Sequence, residues 1–227
     1  MGMACLLASL LLGSFVWPVH ADDSSKDEET LGNAATVRKG MLNDKSIPAS
    51  LLAKADCVMV LPSVKKGAFI VGGTGGRGPM TCRGSKNFVG RWSAPAMYSI
   101  GGASVGLQIG GTATDFVLLV MAPAAVEKML EGKTKIGSDM TAAAGPGATS
   151  AGSVGGADIF TYGRASGLFA GISLSGASLS PDDDANKRLY GTAMSAREIV
   201  LGGKAKTTAG GQTLVSMLNT RVPKHSD

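Results

Sequence analysis

YGRASGLFAGISLSGASL, residues 162–179, is the stretch that decides how this chain folds. It combines four glycines and four serines with one charged side chain and no proline. From residue 168 to 175, Leu, Ala, Ile and Leu alternate with Phe, Gly, Ser and Ser, which is the period of two of a β-strand. The stretch therefore predicts a strand of small residues, to which another layer can come close, and neither a phosphate-binding loop nor a disordered linker.

Other segments predict a sheet around this strand. GGASVGLQIGG (101–111) repeats the alternation, and DFVLLVM (115–121) is typical of a fully buried strand. Residues 57–62, 67–72 and 79–83 predict three further strands. Their connections, SVKK and TGGRG, have the length and chemistry of hairpin turns, so a three-stranded meander is expected.

Helix signals lie toward both ends of the chain. Helices are predicted within residues 23–44, 46–55 and 211–221, and over PAAVEKMLEG (123–132), which has proline at its start and glycine at its end. Ser180 and Pro181 predict the start of another helix, and Ser195 with Glu198 forms a capping-box pattern. AAGPGATSAGSVGGA (143–157) has no period and predicts a flexible loop. The predicted fold class is α+β, a glycine-rich antiparallel sheet, sandwich- or barrel-like, with flanking N- and C-terminal helices.

The N-terminus divides into two predicted segments. Residues 1–21 combine an uncharged apolar run with a small-x-small pattern at Val19-His20-Ala21, which predicts a signal peptide cleaved after Ala21. Residues 22–45 form an acidic N-terminus with an amphipathic helix, and residues 46–221 form the main domain. Export would place Cys57 and Cys82 where a disulfide can form, although two buried free thiols fit the sequence equally well.

The charge distribution favours an anionic partner. Residues 22–29 carry a net charge of −4 and residues 1–21 carry none, so a whole-chain charge of +5 leaves +9 after Glu29. Aromatic residues make up 5% of the chain, which argues against a surface that stacks nucleic-acid bases. An anionic lipid or cell-wall polymer remains as the expected partner.

No motif supports catalysis, a cofactor or a metal. Gly73–Gly78 matches the dinucleotide pattern GxGxxG, but strand residues follow it where a helix is required. Ser104 lies in a GxSxG pattern, yet it falls within strand alternation, and the only histidine after the predicted cleavage point is His225. The acidic run 182–184 fits a helix start better than a calcium site. The chain is therefore predicted not to be an enzyme.

The basic residues give the candidate site. In a three-stranded meander, SVKK and the segment RGSKNFVGRW would meet at one end of the sheet. The predicted cluster, with no acidic residue among its members, is Lys65, Lys66, Arg83, Lys86 and Arg91. The alternative is a solvated loop edge without a function.

Several motifs in fixed order resemble one family. LPSVKKGAFIVGG, the GRWSAPAMYSIGGASVGLQIGG segment with DFVLLVM, the AAGPG element and YGRASGLFAGISLSGASLSPDDDANKRLYG are similar to the SYLF domain, over roughly Ser46 to Gly203. The family includes bacterial envelope proteins and the lipid- and actin-binding modules of fungal and animal endocytic proteins. Ser166 stands where the family often has lysine, which weakens any transfer of headgroup preference.

The resemblance implies a non-enzymatic module that binds phospholipid, with phosphoinositides as ligands in eukaryotic members. For an exported protein it predicts an anionic membrane surface of the periplasm or cell envelope as partner, with no nucleic acid and no actin. The alternative is a structural or protein-interaction module of the envelope that has no lipid ligand.

Overall fold

The fold is seen in a computed structural model, which describes residues 20–44, 47–68, 71–85, 87–105, 110–146, 156–165, 168–171, 174 and 176–222. The helices are α1 (His20–Asp44), α2 (Ala49–Lys54), α3 (Pro123–Glu131), α4 (Asp183–Tyr190), α5 (Ala196–Val200) and α6 (Ala209–Arg221). The strands are β1 (Cys57–Ala68), β2 (Val71–Cys82), β3 (Ala96–Val105), β4 (Gly110–Val120), β5 (Thr134–Lys135), β6 (Ala142–Ala144), β7 (Ile159–Ala165), β8 (Leu168–Gly171) and β9 (Ser178–Pro181).

All nine strands join one curled sheet, in the order β5-β9-β3-β2-β1-β4-β7-β6, with β8 also paired to β7. Every pairing is antiparallel except that of β6 with β7. β1 lies at the centre because it pairs with β2 on one side and with β4 on the other. The predicted α+β class with a glycine-rich, largely antiparallel sheet is confirmed.

Helices cover both faces of the sheet. Alternate side chains of β1 point to opposite faces, so Met59 packs against α3 and α5, whereas Val58 packs against α1, α2 and α6. Both residues are fully buried. The sheet is therefore the middle layer of the protein, and α1 shields one of its faces. Among the helices in the described part of the chain, none is long and apolar enough to cross a membrane.

The predicted meander is wrong, because residues 57–82 form a two-stranded hairpin with long arms. The register shifts between Leu61 and Val64, and Ser63 there has a positive φ of 50° while its N–H donates to Asp115 Oδ1 at 2.9 Å. This is a β-bulge, which bends a strand without ending it. SVKK, predicted to be a turn, begins at that bulge and stays inside β1.

The glycine run of β2 faces this bulge. A Cβ at Gly78 would lie 2.0 Å from the carbonyl oxygen of Val60, and one at Gly76 would lie 2.9 Å from a methyl carbon of Val64. TGGRG, predicted to be a turn, therefore lies inside β2, where glycine allows the bulged strand to come close.

Two further predicted strands are divided in the structure. Residues 101–111 belong to β3 and β4, which lie on opposite sides of the β1–β2 hairpin, and residues 106–109 are outside the described residues. Residues 162–179 contribute to β7, β8 and β9, with β7 and β8 antiparallel. Of the strand predicted over 168–175, the structure has Leu168–Gly171 as β8, while Leu174 lies outside any strand and residues 172, 173 and 175 are outside the described residues.

The helix predictions hold with one correction. Pro123 starts α3, Ser195 and Glu198 form the capping box of α5, and α6 spans the predicted C-terminal helix. The cap of α4 is Asp182, whose Oδ1 accepts the N–H of Ala185 at 3.0 Å, and not Ser180, which lies in β9. Much of the predicted loop 143–157 lies outside the described residues.

A disulfide joins the two arms of the central hairpin. Cys57 and Cys82 are directly paired across β1 and β2, and their sulfur atoms are bonded. Both side chains are fully buried. Of the two possibilities left open by the sequence, the structure has the disulfide.

Candidate functional site

The four described members of the predicted basic cluster do not lie together, and the fifth, Lys86, is outside the described residues. Lys65 and Lys66 pair with Gly75 and Thr74, toward the far end of the hairpin, whereas Arg83 follows Cys82 at the opposite end. The eight steps along the strand from Cys57 to Lys65 span roughly 25 Å at ~3.3 Å per residue. The reason for the separation is the bulge, which carries SVKK onward along β1 where a turn would have brought it back.

Arg83 is an internal cation. Only 4% of the residue is exposed, its Cζ lies 4.5 Å from the centroid of the Trp92 ring, and its Nε donates to the carbonyl oxygen of Ala55 at 3.3 Å. A guanidinium stacked on an indole in this way is stabilised by the ring electrons. Arg83 therefore fixes the base of the loop that follows it and presents no charge to a surface.

Residues 84–91 form a closed loop at that end of the sheet. The N–H of Gly84 donates to the carbonyl oxygen of Arg91, and the N–H of Gly90 donates to that of Gly84, both at 2.8 Å. Phe88 is buried and anchors the loop, whereas Val89 is 57% exposed. Among the described residues, Val89 is the large apolar side chain that stands out into solvent.

Exposed cations lie on this loop and at the ends of two helices, α2 and α6, that connect to its base. Arg91 lies on the loop, Lys54 ends α2 and Arg221 ends α6, and all three are exposed. The N–H of Arg83 donates to the carbonyl oxygen of Asp56 at 2.8 Å, which ties the loop to the segment after α2. We call the surface formed by Lys54, Val89, Arg91 and Arg221 the basic end.

The basic end could be predicted only in part. The sequence indicated Arg91 and Lys86, although Lys86 lies outside the described residues. It missed Arg221 because α6 reaches the loop through a contact between residues far apart in the chain: Asn219 Oδ1 accepts the N–H of Trp92 at 3.1 Å. It missed Lys54 because the predicted meander brought the wrong lysines to the loop.

A second polar region lies beside β3, β9 and β5. It is a groove of about 750 Å³ lined by Ser99, Ile100, Gly101, Gly102, Lys133, Lys135, Asp139, Gly176, Ser178 and Ser180. Asp139 Oδ2 accepts the N–H of Lys135 at 2.7 Å, and this bond lowers the pKa of the carboxyl group. An ionised, hydrogen-bonded Asp139 is a poor proton acceptor, and the described residues that line the groove include serines but no histidine. Its chemistry is that of polar binding.

The motifs considered for catalysis lie within strands or at a helix cap. Gly73–Gly78 lies within β2, and Ser104 lies within β3 opposite Gly72. Asp182 uses Oδ1 to cap α4 and Oδ2 to bind the Nε of Arg77 at 2.7 Å. In the described ranges, no three His, Cys, Asp or Glu side chains are grouped so as to hold a metal ion.

A sequence model of one family, Ysc84, described as "Las17-binding protein actin regulator", matches residues 101–221. That match covers more than half of the chain. The chain belongs to the Ysc84 family, whose domain is the SYLF domain. The predicted SYLF resemblance is thereby confirmed. The family consists of actin-regulatory, adaptor-like proteins and not of enzymes.

Relatives of the chain in this Ysc84 family come from fungi and animals. An SH3 domain-containing protein of Schizosaccharomyces pombe is 33% identical over 225 residues, which cover 96% of this chain and 47% of the relative. The SH3 domain-containing YSC84-like protein 1 of Rattus norvegicus is 35% identical over 80% of this chain and 54% of its own. Protein YSC84 of Saccharomyces cerevisiae is 30% identical over 78% of this chain and 38% of its own. The chain thus spans about half the length, or less, of these relatives.

Proposed function

We propose that the chain is a non-enzymatic module that binds the surface of anionic phospholipid membranes through its basic end. The observation that carries the proposal is Val89, an exposed apolar side chain on the same closed loop as the exposed Arg91. Hydrogen bonds join the base of this loop to the segment after α2 and to α6, the helices that end in the exposed Lys54 and Arg221. Peripheral membrane proteins combine these two features, because cations are attracted to the lipid headgroups and an apolar tip enters the interface.

The expected strength is that of reversible attachment. Each cation near an anionic bilayer contributes on the order of 1 kcal/mol, and partial burial of a valine adds about 1 kcal/mol. The three cations with Val89 therefore give a few kcal/mol, and the cationic part weakens as salt rises.

We place this interaction at the cell envelope, in a protein that the sequence predicts to be exported. The Cys57–Cys82 disulfide supports this placement, since disulfides persist in oxidising compartments. α1 begins at His20 and so includes residues on both sides of the predicted cleavage point. Cleavage after Ala21 stays a prediction, which the intact mass of protein recovered from the periplasm would test.

Co-sedimentation with vesicles tests the lipid proposal. Wild type should bind phosphatidylcholine vesicles that contain phosphatidylglycerol, and should bind pure phosphatidylcholine poorly. The triple variant Lys54→Ala, Arg91→Ala, Arg221→Ala should bind at least ~10-fold more weakly, since 1.4 kcal/mol is already tenfold. Val89→Ser should weaken binding without changing its salt dependence.

A matched control removes three charges elsewhere. Lys65, Lys133 and Lys135 are also exposed, and the triple variant with alanine at these positions should bind the vesicles as wild type does. If both triple variants lose vesicle binding equally, the net charge of the protein determines binding and the basic end is not the site. If only the control variant loses vesicle binding, the lipid site is at the groove beside β5 and not at the basic end.

The family description supports a second candidate, a protein-interaction module that uses the same end of the molecule without a lipid ligand. That candidate expects no preference for anionic over neutral vesicles. It is favoured if all the variants sediment alike.

A further inference from the structure

The floor of the polar groove beside β3, β9 and β5 is set by the register of the strands. Ser99 pairs with Ser180, and Gly101 pairs with Ser178. Residues that pair directly across an antiparallel sheet lie on the same face, so these four share one face. Ile100, between Ser99 and Gly101, is buried on the other face with α3 and α5. The described floor of the groove is therefore made of hydroxyl groups and glycine, without an apolar side chain.

Two lysines stand at the β5 side of this floor. Lys135 pairs with Ser178 and so lies on the same face, and Lys133, two residues earlier, is also exposed and lines the groove. In the described part of the chain, neither ammonium group has an ion-pair or hydrogen-bond partner. The carboxylate of Asp139 is already used, since Oδ2 accepts the N–H of Lys135 at 2.7 Å and Oδ1 accepts the hydroxyl of Ser138 at 3.1 Å. The groove thus has a net positive charge and two ammonium groups that can bind an anion.

On the side toward α1, the cation beside the groove is bound within the fold. Arg77 of β2 pairs with Ser99 across the strands. Its guanidinium donates to Asp27 at 2.8 Å and to Asp182 at 2.7 Å. Two carboxylates therefore neutralise this arginine, and a negatively charged ligand in the groove would meet the lysines instead.

The groove continues along the sheet in the other direction. Gly101 pairs with Gly75 of β2, and Gly75 pairs with Lys65 of β1. Gly75 is exposed, and a Cβ there would meet no described atom within 4 Å. Lys65, which is also exposed, and Lys135 end the same cross-strand row, four strand spacings apart, or roughly 19 Å at ~4.8 Å per strand. A ligand that contacts both lysines must be a chain.

We propose that this groove binds a segment of an acidic polysaccharide. Its carboxylates would lie at Lys133 and Lys135, and its hydroxyl groups would lie on Ser178 and Ser180. A serine hydroxyl both donates and accepts hydrogen bonds, as the alcohol groups of a sugar do. A lysine ammonium pairs with an anion as a compact point charge and needs no fixed geometry, which suits a flexible polymer. An anionic cell-wall polymer, one of the partners expected from the charge distribution, has this chemistry.

An acidic peptide fits the groove less well. Peptides are held by pockets for apolar anchor side chains or by pairing with the edge of a sheet. The described floor offers no apolar pocket, and at β5 the N–H of Lys135 is already taken by Asp139. The hydroxyl groups of the ligand therefore matter as much as its charge, and this distinguishes the two classes.

Isothermal titration calorimetry of the full chain with three hexamers tests the proposal. Hexagalacturonate carries both carboxylates and hydroxyl groups, maltohexaose carries hydroxyl groups alone, and hexaglutamate carries carboxylates without sugar hydroxyls. The wild type should bind hexagalacturonate most tightly and maltohexaose least. Equal affinity for hexaglutamate and hexagalacturonate would show that charge alone acts, and would overturn the proposal in favour of an acidic peptide or a general polyanion.

Variants locate the site. Lys133→Met with Lys135→Met should weaken hexagalacturonate binding at least ~10-fold, because two contacts between charged groups are lost. Gly101→Gln places a side chain on the floor, where a Cβ has only an ordinary contact at 3.9 Å, and should block binding without removing a charge. The matched control, Lys187→Met with Lys204→Met, removes two exposed lysines elsewhere and should bind as wild type does.

The hydroxyl groups have a test of their own. Ser178→Ala with Ser180→Ala should weaken binding of hexagalacturonate and leave that of hexaglutamate unchanged. The groove is disproved as the site if Gly101→Gln, with an unchanged urea midpoint, binds hexagalacturonate like the wild type, or if the control variant loses as much affinity as the groove variant.

The groove and the basic end are separate sites with separate tests. The triple variant Lys54→Ala, Arg91→Ala, Arg221→Ala should bind hexagalacturonate as the wild type does, and Gly101→Gln should bind anionic vesicles as the wild type does. If the basic-end variant fails to affect vesicle binding, the proposed function is wrong and the groove is untouched. If the basic-end variant loses hexagalacturonate binding while Gly101→Gln keeps it, the polysaccharide site in the groove is wrong.

Discussion

Asp27 has no exposed surface, and its carboxylate holds three elements together. Oδ1 accepts from Arg77 Nη2 of β2 at 2.8 Å, and Oδ2 accepts from Arg188 Nε of α4 at 2.7 Å. Arg77 also binds Asp182, so the two acids and the two arginines balance in charge. A buried carboxylate is tolerated only where such partners replace water, and this one fixes α1 and α4 against the sheet.

Asp27→Ala should therefore be strongly destabilising. It removes the acceptor shared by Arg77 and Arg188, and we expect the free energy of unfolding to fall by about 3 kcal/mol, as measured by urea denaturation. The control is Asp23→Ala, because Asp23 is exposed and pairs with the exposed Lys26 at 3.8 Å. That change should cost less than ~0.5 kcal/mol, and a similar loss in both variants would contradict the role given to Asp27.

Asp56 gives the stability a pH dependence of known sign. Burial raises its pKa to about 6 from 3.8, against the opposing effect of the Arg83 charge. The folded state therefore holds this proton more tightly than the unfolded chain does, so the contribution of Asp56 to stability falls as pH rises from about 4 to about 6 and is constant above.

Asp56→Asn should remove this loss. The variant should match wild type near pH 4 and exceed it at pH 7 by on the order of 2 kcal/mol. Denaturant midpoints across this pH range measure the difference. A gap that stays constant from pH 4 to pH 7 would show that Asp56 titrates normally in the fold.

At the scale of single elements, the bulge in β1 explains the glycines of β2. Gly78 faces the carbonyl oxygen of Val60 on the bulged strand, at a distance that no side chain could occupy. Gly75 lies on the same strand three residues earlier, and a Cβ there would meet nothing within 4 Å. The two glycines look alike in sequence, but only at Gly78 does the neighbouring strand leave no room for a side chain.

Gly78→Ala and Gly75→Ala should separate these reasons. Gly78→Ala forces β2 away from β1 and should cost more than ~2 kcal/mol, or prevent folding. Gly75→Ala adds a methyl group in open space and should be neutral or slightly stabilising. Circular dichroism during thermal unfolding of the two variants gives the comparison, and equal Tm values would argue against the close approach at the bulge.

The bulge is also the feature of the fold that could not be predicted from the sequence. DFVLLVM, the Pro123 helix start and the Ser195–Glu198 capping box depend on neighbouring residues, so their structures could be predicted. SVKK and TGGRG have turn chemistry, but their conformation is set by each other across the hairpin, and no local pattern carries that information. Arg91 was included in the predicted cluster because RGSKNFVGRW is basic, whereas Lys54 and Arg221 belong to elements 37 residues before and 130 residues after it.

At the scale of the whole molecule, the central hairpin is the part on which both layers of helices rest. β1 carries apolar side chains on both of its faces, so each layer packs against it. The Cys57–Cys82 disulfide closes this hairpin at the end where β1 enters the sheet. A crosslink there restricts the unfolded chain while leaving the fold unchanged.

Removing the disulfide should lower the stability of the entire domain. For a closed loop of this size, with a sequence separation of 25, the double variant Cys57→Ala, Cys82→Ala should lose about 3 kcal/mol. Reductant should lower the Tm of the wild type toward that of the variant and leave the variant unchanged. A wild type whose Tm does not respond to reductant even under prolonged incubation at high temperature would show that the cysteines are free thiols.

The order of the strands has a consequence for how molecules behave in a crowded compartment. The two outermost strands, β5 and β6, have two and three residues. β8, which pairs with the part of β7 that β6 does not reach, has four. Long strands with unpaired backbone groups recruit strands of other molecules and lead to aggregation, and short ones do not. In the described part of the sheet, all the long strands are internal. The domain can therefore reach a high local concentration, where neighbouring copies collide constantly, without joining them edge to edge.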